Sequence, residues 1–277
     1  MKIDKHPREI IAFRGAGDLA TGIALRLWRS GYKVILSELP KPLCIRRTVA
    51  FANAAYEGSM TVEGVECVLI ADAGKATEAW KSDRIPLLID PDLTQIKTLQ
   101  PAVLVDARIM KSFRDDTRLT DAPLVIGLGP GFTAGENAHA VIETNRGHDL
   151  GRVYWQGSAE PDTGTPGLIG GEGIKRVQKA PADGIFTPKV EIGQQVAAGD
   201  LLAMIDGTEL RSPLAGIVRG SIYPGTRVTR GLKIMDVDPR GERDHCFTAS
   251  DKASALGGAV LEAILSWNVQ GSVPPQC

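Results

Sequence analysis

Aromatic side chains are scarce in this sequence, at 5% of 277 residues, and there are only four cysteines. Cys44, Cys67, Cys246 and Cys277 form no C-x-x-C pair, which leaves a zinc ribbon or a dithiol redox motif without support. A reducing cytoplasm is the compartment that fits best. Charge of one sign is missing too. Lys and Arg number 32 against 33 Asp and Glu, a net charge of −1, so no basic field points to DNA, RNA or an anionic membrane. No uninterrupted run of about 18 apolar residues is present, so no membrane span is expected. The start, Met1-Lys2-Ile3-Asp4-Lys5-His6, leads into a strand-like run without a signal-peptide core. The chain contains no G-x-S-x-G element, P-loop or H-E-x-x-H motif. Readings as a nucleophilic hydrolase, a P-loop NTPase or a zincin therefore lack support.

Glycine is what the sequence has in excess: 31 of 277 residues, against a usual share of about 7%. Glycine serves tight turns and close backbone approach. A chain of this length is expected to form about two domains. The first third alternates strand-like and helix-like segments. Strands are predicted over residues 10–13, 33–37, 65–70, 86–89 and 103–106, and helices over 19–29 and 42–55, the second tolerating Pro42 in its first turn. That alternation predicts the α/β class, with a doubly wound sheet. Further strands are expected at 124–126, 138–144 and 152–155, the last two joined by Asn145-Arg146-Gly147-His148. Residues 162–173 carry five glycines and read as a hinge, lid or linker.

An internal repeat follows. Pro181, Gly184, Gly193, Val196, Gly199 and Asp206 recur 32 residues later as Pro213, Gly216, Gly225, Val228, Gly231 and Asp238. The spacing G-x-x-V-x-x-G describes a tight turn feeding a short strand, twice. Two such halves are expected to interlock into one small β barrel. Beyond it, Ser250 can cap a helix over 251–267, with Leu256, Val260, Leu261, Ile264 and Leu265 on its apolar side. Gly257-Gly258 weakens that helix unless another backbone packs there. Residues 268–277 read as a loose end. The domains expected are 1–175, 176–240, and a C-terminal helix with its tail over 241–277 that returns to the first.

Gly15-Ala16-Gly17-Asp18-Leu19-Ala20 fits G-x-G-x-x-[G/A], follows a predicted strand and opens a predicted helix. Gly15 allows the sharp turn, Gly17 lets a pyrophosphate approach the backbone, and Ala20 lets helix pack on strand. Glu38 ends the next strand, 21 residues after Gly17, where a carboxylate would accept ribose hydroxyls and disfavour a 2′-phosphate, favouring NAD over NADP. Asp18 would repel an anion if it pointed inward, and Arg46 and Arg47 either reach a phosphate or line a solvated helix face. A second loop, Gly127-Leu128-Gly129-Pro130-Gly131-Phe132, can form an anion-binding nest with Gly129 and Gly131, or a Pro-Gly turn. Asp106 and Arg108 follow a strand and are candidates for handling substrate, or form a structural ion pair. His139, Glu143 and His148 are candidates for acid–base work, or for holding a metal together although nothing matches a strong metal signature; the leading alternative is a hydrogen-bonded hairpin beside the cleft.

With these residues assembled, the chain resembles the YqeB family of selenium-dependent molybdenum hydroxylase system proteins. The resemblance rests on residues 14–22, 104–108, 122–132, 139–148 and Ser250-Asp251-Lys252. It implies a Rossmann-like N-terminal domain and a role in maturing molybdenum hydroxylases that carry labile selenium. The 32-residue repeat resembles a biotinyl/lipoyl barrel-sandwich hybrid domain. Its equivalent hairpin, Ile205-Asp206-Gly207-Thr208-Glu209-Leu210-Arg211, has no lysine, so no covalent biotin or lipoate is expected.

The leading expectation is an accessory protein that binds a dinucleotide, either NAD or a molybdopterin dinucleotide form of the molybdenum cofactor, with a hydroxylase subunit as a further partner. The alternatives are an NAD-dependent oxidoreductase using Asp106, Arg108 or His139, and a non-catalytic scaffold that docks a hydroxylase subunit.

Overall fold

The structure is a computed structural model and describes residues 6, 8–113, 115–162, 164 and 167–271. The first five residues, Thr163, Thr165 and Pro166 of the glycine-rich stretch, and Cys277 with the tail beyond Gly271 lie outside the described residues. The chain divides into two units. The first comprises Met1–Pro42, Ala50–Asp162 and Ala249–Cys277; the second comprises Leu43–Val49 and Thr163–Thr248. The expected domain limits were after residues 175 and 240, and the 43–49 segment was expected in the N-terminal domain.

In the first unit the chain runs β1 (Ile10–Arg14), α1 (Asp18–Arg29), β2 (Lys33–Glu38), α2 (Ala54–Glu57), β3 (Ser59–Val62), β4 (Val65–Ile70), α3 (Ala76–Lys81), β5 (Ile85–Ile89), β6 (Val103–Asp106), β7 (Leu124–Leu128), β8 (Thr133–Ala134), β9 (Ala140–Ile142), β10 (Val153–Tyr154) and β11 (Gly157–Ser158). Nine of these strands form one sheet in the order β10-β9-β7-β6-β1-β2-β5-β4-β3. The seven inner strands are parallel, and β10 and β3 pair antiparallel at the two edges. Runs such as Ile11-Ala12-Phe13 and Val34-Ile35-Leu36 are fully buried, as strands covered on both faces require.

This mixed sheet overturns the expected fold class of a Rossmann-like domain joined to a small barrel. A doubly wound domain carries a helix on each crossover. Here α1, at 12 residues, is the one long crossover helix among the described residues. The other connections use the six-residue α3 or short 3₁₀ turns such as Ile96–Leu99 and Leu119–Asp121. The expected helix over 42–55 is also absent. Residues 47–49 and 51–53 form separate 3₁₀ turns, and α2 has four residues. Tertiary bonds outcompete that helix: Ala52 N–H donates to the Ala16 carbonyl at 2.8 Å and Phe51 N–H to Thr21 Oγ1 at 2.8 Å.

The second unit holds β12 (Val177–Lys179), β13 (Gly184–Pro188), β14 (Gln195–Val196), β15 (Leu201–Ile205), β16 (Thr208–Arg211), β17 (Gly216–Ser221), β18 (Arg227–Val228) and β19 (Lys233–Asp238). The duplication is visible: β13, β14 and β15 recur 32 residues on as β17, β18 and β19. The copies exchange strands, β14 pairing with β17 and β18 with β13. They do not form the single barrel expected. Two four-stranded antiparallel sheets result, β12-β19-β17-β14 and β16-β15-β13-β18. The two-residue strands β14 and β18 supply too little ladder to close them into one. Phe186, Leu202, Ile205, Val218, Ile234 and Val237 fill their common core.

The last element is α4 (Asp251–Gln270), in the first unit. It runs three residues past the expected end. Ser250 Oγ accepts a hydrogen bond from Ala253 N–H, the N-cap bond. A methyl group on Gly22 would come within 2.5 Å of the Ala253 methyl, so α1 and α4 touch near their N-termini. On Gly257 a methyl would meet the Arg26 side chain at 3.2 Å, which accounts for that helix-weakening residue. No helix among the described residues is long and apolar enough to cross a membrane.

Candidate functional site

Strand β1 ends at Arg14 and α1 begins at Asp18, so three residues must reverse the chain. Gly15 does so with φ +95° and sits against Arg108, 3.3 Å from the position of its missing Cβ to Arg108 Cγ. Its N–H donates to the Ser37 carbonyl at 2.9 Å, fastening the loop to the end of β2. Gly17 is the N-cap of α1 and offers no side-chain cap. Nothing lies within 4 Å of where its Cβ would be. The first-turn N–H groups of α1 therefore face an open approach, the arrangement that binds anions at helix N-termini. Leu19 and Ala20 belong to that first turn, and Ala20 is fully buried against the sheet.

Glu38 closes β2 beside this loop. Its Oε2 accepts from Ala16 N–H at 2.9 Å and its Oε1 from Leu39 N–H at 2.7 Å. Burial raises its pKa, and the two N–H donors oppose that shift.

Lys252, in the first turn of α4, was missed as a site residue. It is half-buried and makes no hydrogen bond among the described residues. Burial lowers its pKa, as does the charge of Arg146, while Asp18, Glu143 and Asp251 act to raise it. Arg146 itself forks onto Asp251 at 2.5 and 2.7 Å. No spacing rule connects residue 252 to residue 18; the sequence signal was Ser250-Asp251-Lys252, which reads as a helix start.

Asp106 and Arg108 do meet, as a structural ion pair. Arg108 Nη2 lies 2.6 Å from Asp106 Oδ2 and its Nη1 lies 2.8 Å from Asp116 Oδ2. Thr117 Oγ1 donates to Asp106 Oδ2 at 2.7 Å, and Arg14 donates to that threonine at 2.8 Å. Asp106, Thr117 and Arg14 are all buried. The carboxylates hold the Arg108 charge firmly, although burial works against it.

The second glycine loop is packed shut. Gly129 has φ +78°, its N–H donates to the Ile142 carbonyl at 2.9 Å, and a methyl there would sit 2.5 Å from Thr144 Oγ1. At Gly131, φ +97°, a methyl would sit 2.7 Å from the Ser112 carbonyl oxygen. His139 Nδ1 accepts from Val125 N–H at 2.9 Å, and burial lowers its pKa. Glu143, 1% exposed, accepts from Asn145 N–H at 2.6 Å and Glu160 N–H at 2.7 Å. His148 is exposed. These three residues do not converge, and no cluster of three metal-ligating side chains occurs among the described residues. Arg46 and Arg47 lie in the second unit, bonded to the carbonyls of His245 at 3.0 Å and Ser221 at 2.8 Å. The helix face expected at these two positions is not formed, since residues 47–49 make a 3₁₀ turn.

No protein-family model matches the chain. The uncharacterized protein YqeB of Escherichia coli (strain K12) is 47% identical over 268 residues, which is 96% of this chain and 49% of that protein. Among solved structures, a succinylglutamate desuccinylase/aspartoacylase from Rhodobacter sphaeroides shares 31% identity over 23% of this chain and 22% of its own, with a TM-score of 0.20. An aspartoacylase family protein from Mesorhizobium loti is 12% identical, covering 76% of this chain and 58% of its own, with a TM-score of 0.25. A succinylglutamate desuccinylase from a Silicibacter species is 13% identical, covering 83% and 84%, also with a TM-score of 0.25. Scores that low transfer neither fold nor chemistry to this chain. The chain spans about half the length of the curated relative it matches.

Proposed function

We propose that this protein is a dinucleotide-binding accessory factor in the maturation of a selenium-dependent molybdenum hydroxylase. The pyrophosphate of NAD, or of a molybdopterin dinucleotide, rests on the loop of residues 15–20. The observation that carries this reading is Gly17: an uncapped helix start with nothing within 4 Å of its missing side chain. Phosphate oxygens accept from such unpaired N–H groups and from the positive end of the α1 dipole. Glu38, beside its bonds from Ala16 and Leu39 N–H, would accept ribose hydroxyls, and its charge would disfavour a 2′-phosphate. Lys252 offsets the repulsion from Asp18. Asp106, Arg108, His139 and Glu143 are committed to bonds within the fold, which favours binding over catalysis. The hydroxylase system, and a hydroxylase subunit as partner, rest on the family resemblance.

Calorimetry with adenine and cytosine dinucleotides tests the reading. Binding is expected in the wild type and lost in Gly17→Asp, with the melting temperature of that variant unchanged. Failure of every dinucleotide to bind the folded wild type, or retained affinity in Gly17→Asp, overturns it.

A further inference from the structure

The last helix of the first unit is apolar nearly all the way round. After Lys252, α4 carries a single charged residue, Glu262. Its inner face is buried at Ala253, Leu256, Val260 and Ile264. Its outer face is not polar in compensation. Ala255 is exposed, Gly258 and Leu261 are half-buried, Leu265 is 43% exposed and Val269 is 86% exposed. These five recur at three- and four-residue spacing, so they form one stripe along the helix. By contrast α1 turns Arg26 and Arg29 outward. A helix that is apolar on every side is one that another element covers.

Three features identify the cover. The first is Gly258. Glycine weakens a helix interior, and the Arg26 side chain lying across Gly257 explains only the first of the pair. Nothing lies within 4 Å of the missing Cβ of Gly258, so a second backbone can approach there. The second feature is the spacing around it. Ala255 stands three residues before Gly258 and Leu261 three residues after. An antiparallel copy of α4 crossing at Gly258 therefore sets Leu261 of each helix on Ala255 of the other, large on small. The third feature is charge. The Arg26 guanidinium and the Glu262 carboxylate make no hydrogen bond or ion pair among the described residues. Arg26 borders a cavity of about 330 Å³, together with Ser254, Arg29 and Glu63. Arg29 and Glu63 answer each other at 3.0 Å, which leaves the Arg26 charge unanswered. Ser254 stands four residues before Gly258 and Glu262 four after. The same crossing thus carries Glu262 of one copy to the Arg26 cavity of the other.

We propose that α4 pairs with α4 of a second copy of this chain, antiparallel about a two-fold axis at Gly258, with Glu262 of each copy seated against Arg26 of the other. A two-fold interface must be self-complementary. This one is, since each copy supplies both the acid and the arginine, and both the large and the small side chain. The planar guanidinium suits a carboxylate through two parallel N–H bonds. One helix pair makes a small interface, so the dimer is a weak one. It involves no nucleotide and does not depend on the residue 15–20 loop.

The test is analytical ultracentrifugation of the full chain without nucleotide. A monomer–dimer equilibrium is expected with a dissociation constant of about 1–100 μM. Arg26→Glu and Glu262→Arg each weaken it about tenfold, because like charges then face each other. The double variant Arg26→Glu/Glu262→Arg returns to within about threefold of the wild type, the mark of a direct pair. In a Cys44→Ser/Cys277→Ser background, Gly258→Cys gives a disulfide-linked dimer under mild oxidation, since a residue on the axis meets its own copy within disulfide reach. Thermal melting checks that each variant is folded. Should Arg26→Glu fail to fold, Glu262→Arg and Gly258→Cys decide. A chain that stays monomeric at about 200 μM would leave the stripe to a different partner and overturn the proposal. Unchanged dimerisation in the folded single reversals, no recovery in the double variant, or a dimer that Gly258→Cys does not link would each overturn it as well.

Discussion

Two glycine loops in the first unit look alike as strings of letters and differ in space. Both follow a buried strand, and both could be read as cradles for an anion. In the loop of residues 15–20, Gly17 is open and the helix behind it is uncapped. In the loop of residues 127–131, Thr144, Ser112 and Phe132 occupy the room that the missing side chains leave. The first loop uses glycine to admit something from outside. The second uses glycine to let the protein pack against itself, and its Gly129 N–H is already bonded to Ile142. Positive φ does not separate them, since Gly15, Gly129 and Gly131 all have it. What separates them is whether a neighbour fills the vacant Cβ position.

The largest expected effect tests the closed loop. Gly131→Ala must tolerate φ +97° and a methyl 2.7 Å from a backbone oxygen, and is expected to cost about 3 kcal/mol in urea unfolding. A cost below about 1 kcal/mol would show that the loop can open, and would return it to the list of anion sites.

Next comes His139, which braces the strand leading into that loop. His139→Leu strands the Val125 N–H and is expected to lose about 1–3 kcal/mol at neutral pH. Its pH dependence has a definite sign. Burial holds the folded pKa below 6.5, so the unfolded chain takes up the proton first as pH falls. The stability present above 6.5 is lost below it, through the lowered folded value. The leucine variant lacks that slope in a series of melts. An identical acid slope in both proteins would show that His139 is not held neutral.

Lys252→Gln tests the open loop from the other side. Dinucleotide affinity is expected to fall about tenfold, as for loss of one charge-assisted contact, while the melting temperature is held or raised because a half-buried ammonium is removed. Unchanged affinity would place the phosphate away from α4.

Glu38→Gln should have the smallest effect. The folded pKa of Glu38 lies above 4.5, so the unfolded chain ionises first as pH rises from there. Stability falls through that window and the glutamine variant escapes the fall, but its one acceptor oxygen serves only one of the Ala16 and Leu39 N–H groups, so the two effects offset and the net change at pH 7 is under about 1 kcal/mol. A loss of stability at neutral pH would mean that the bond from Ala16 N–H needs the full carboxylate.

Much of the first unit was legible in the residues. Ile10 to Phe13, Val34 to Leu36 and Val103 to Val105 are apolar runs of strand length, and each is a strand. Ser250 announced α4, and the 32-residue spacing announced the paired halves of the second unit. Less was legible where partners come from far along the chain. Residues 42–55 have helical composition, yet Ala16 and Thr21 claim their N–H groups for other bonds. The fold class was misread because alternation reports strands and turns, while a doubly wound sheet depends on what fills each crossover. Lys252 was read as part of a helix start and of a segment carrying the family resemblance, not as a site residue, since the approach of α4 to α1 depends on Gly22 having no side chain to meet Ala253.

Local order therefore came from the sequence: where strands run, where α1 and α4 begin, which segment repeats, and which turns need glycine. Those features depend on residues within a few positions of one another. Which glycine stays open, which charges are neutralised and which helix face is left uncovered depended on the folded chain. Each is settled by atoms tens or hundreds of residues away, and only packing brings those atoms within reach.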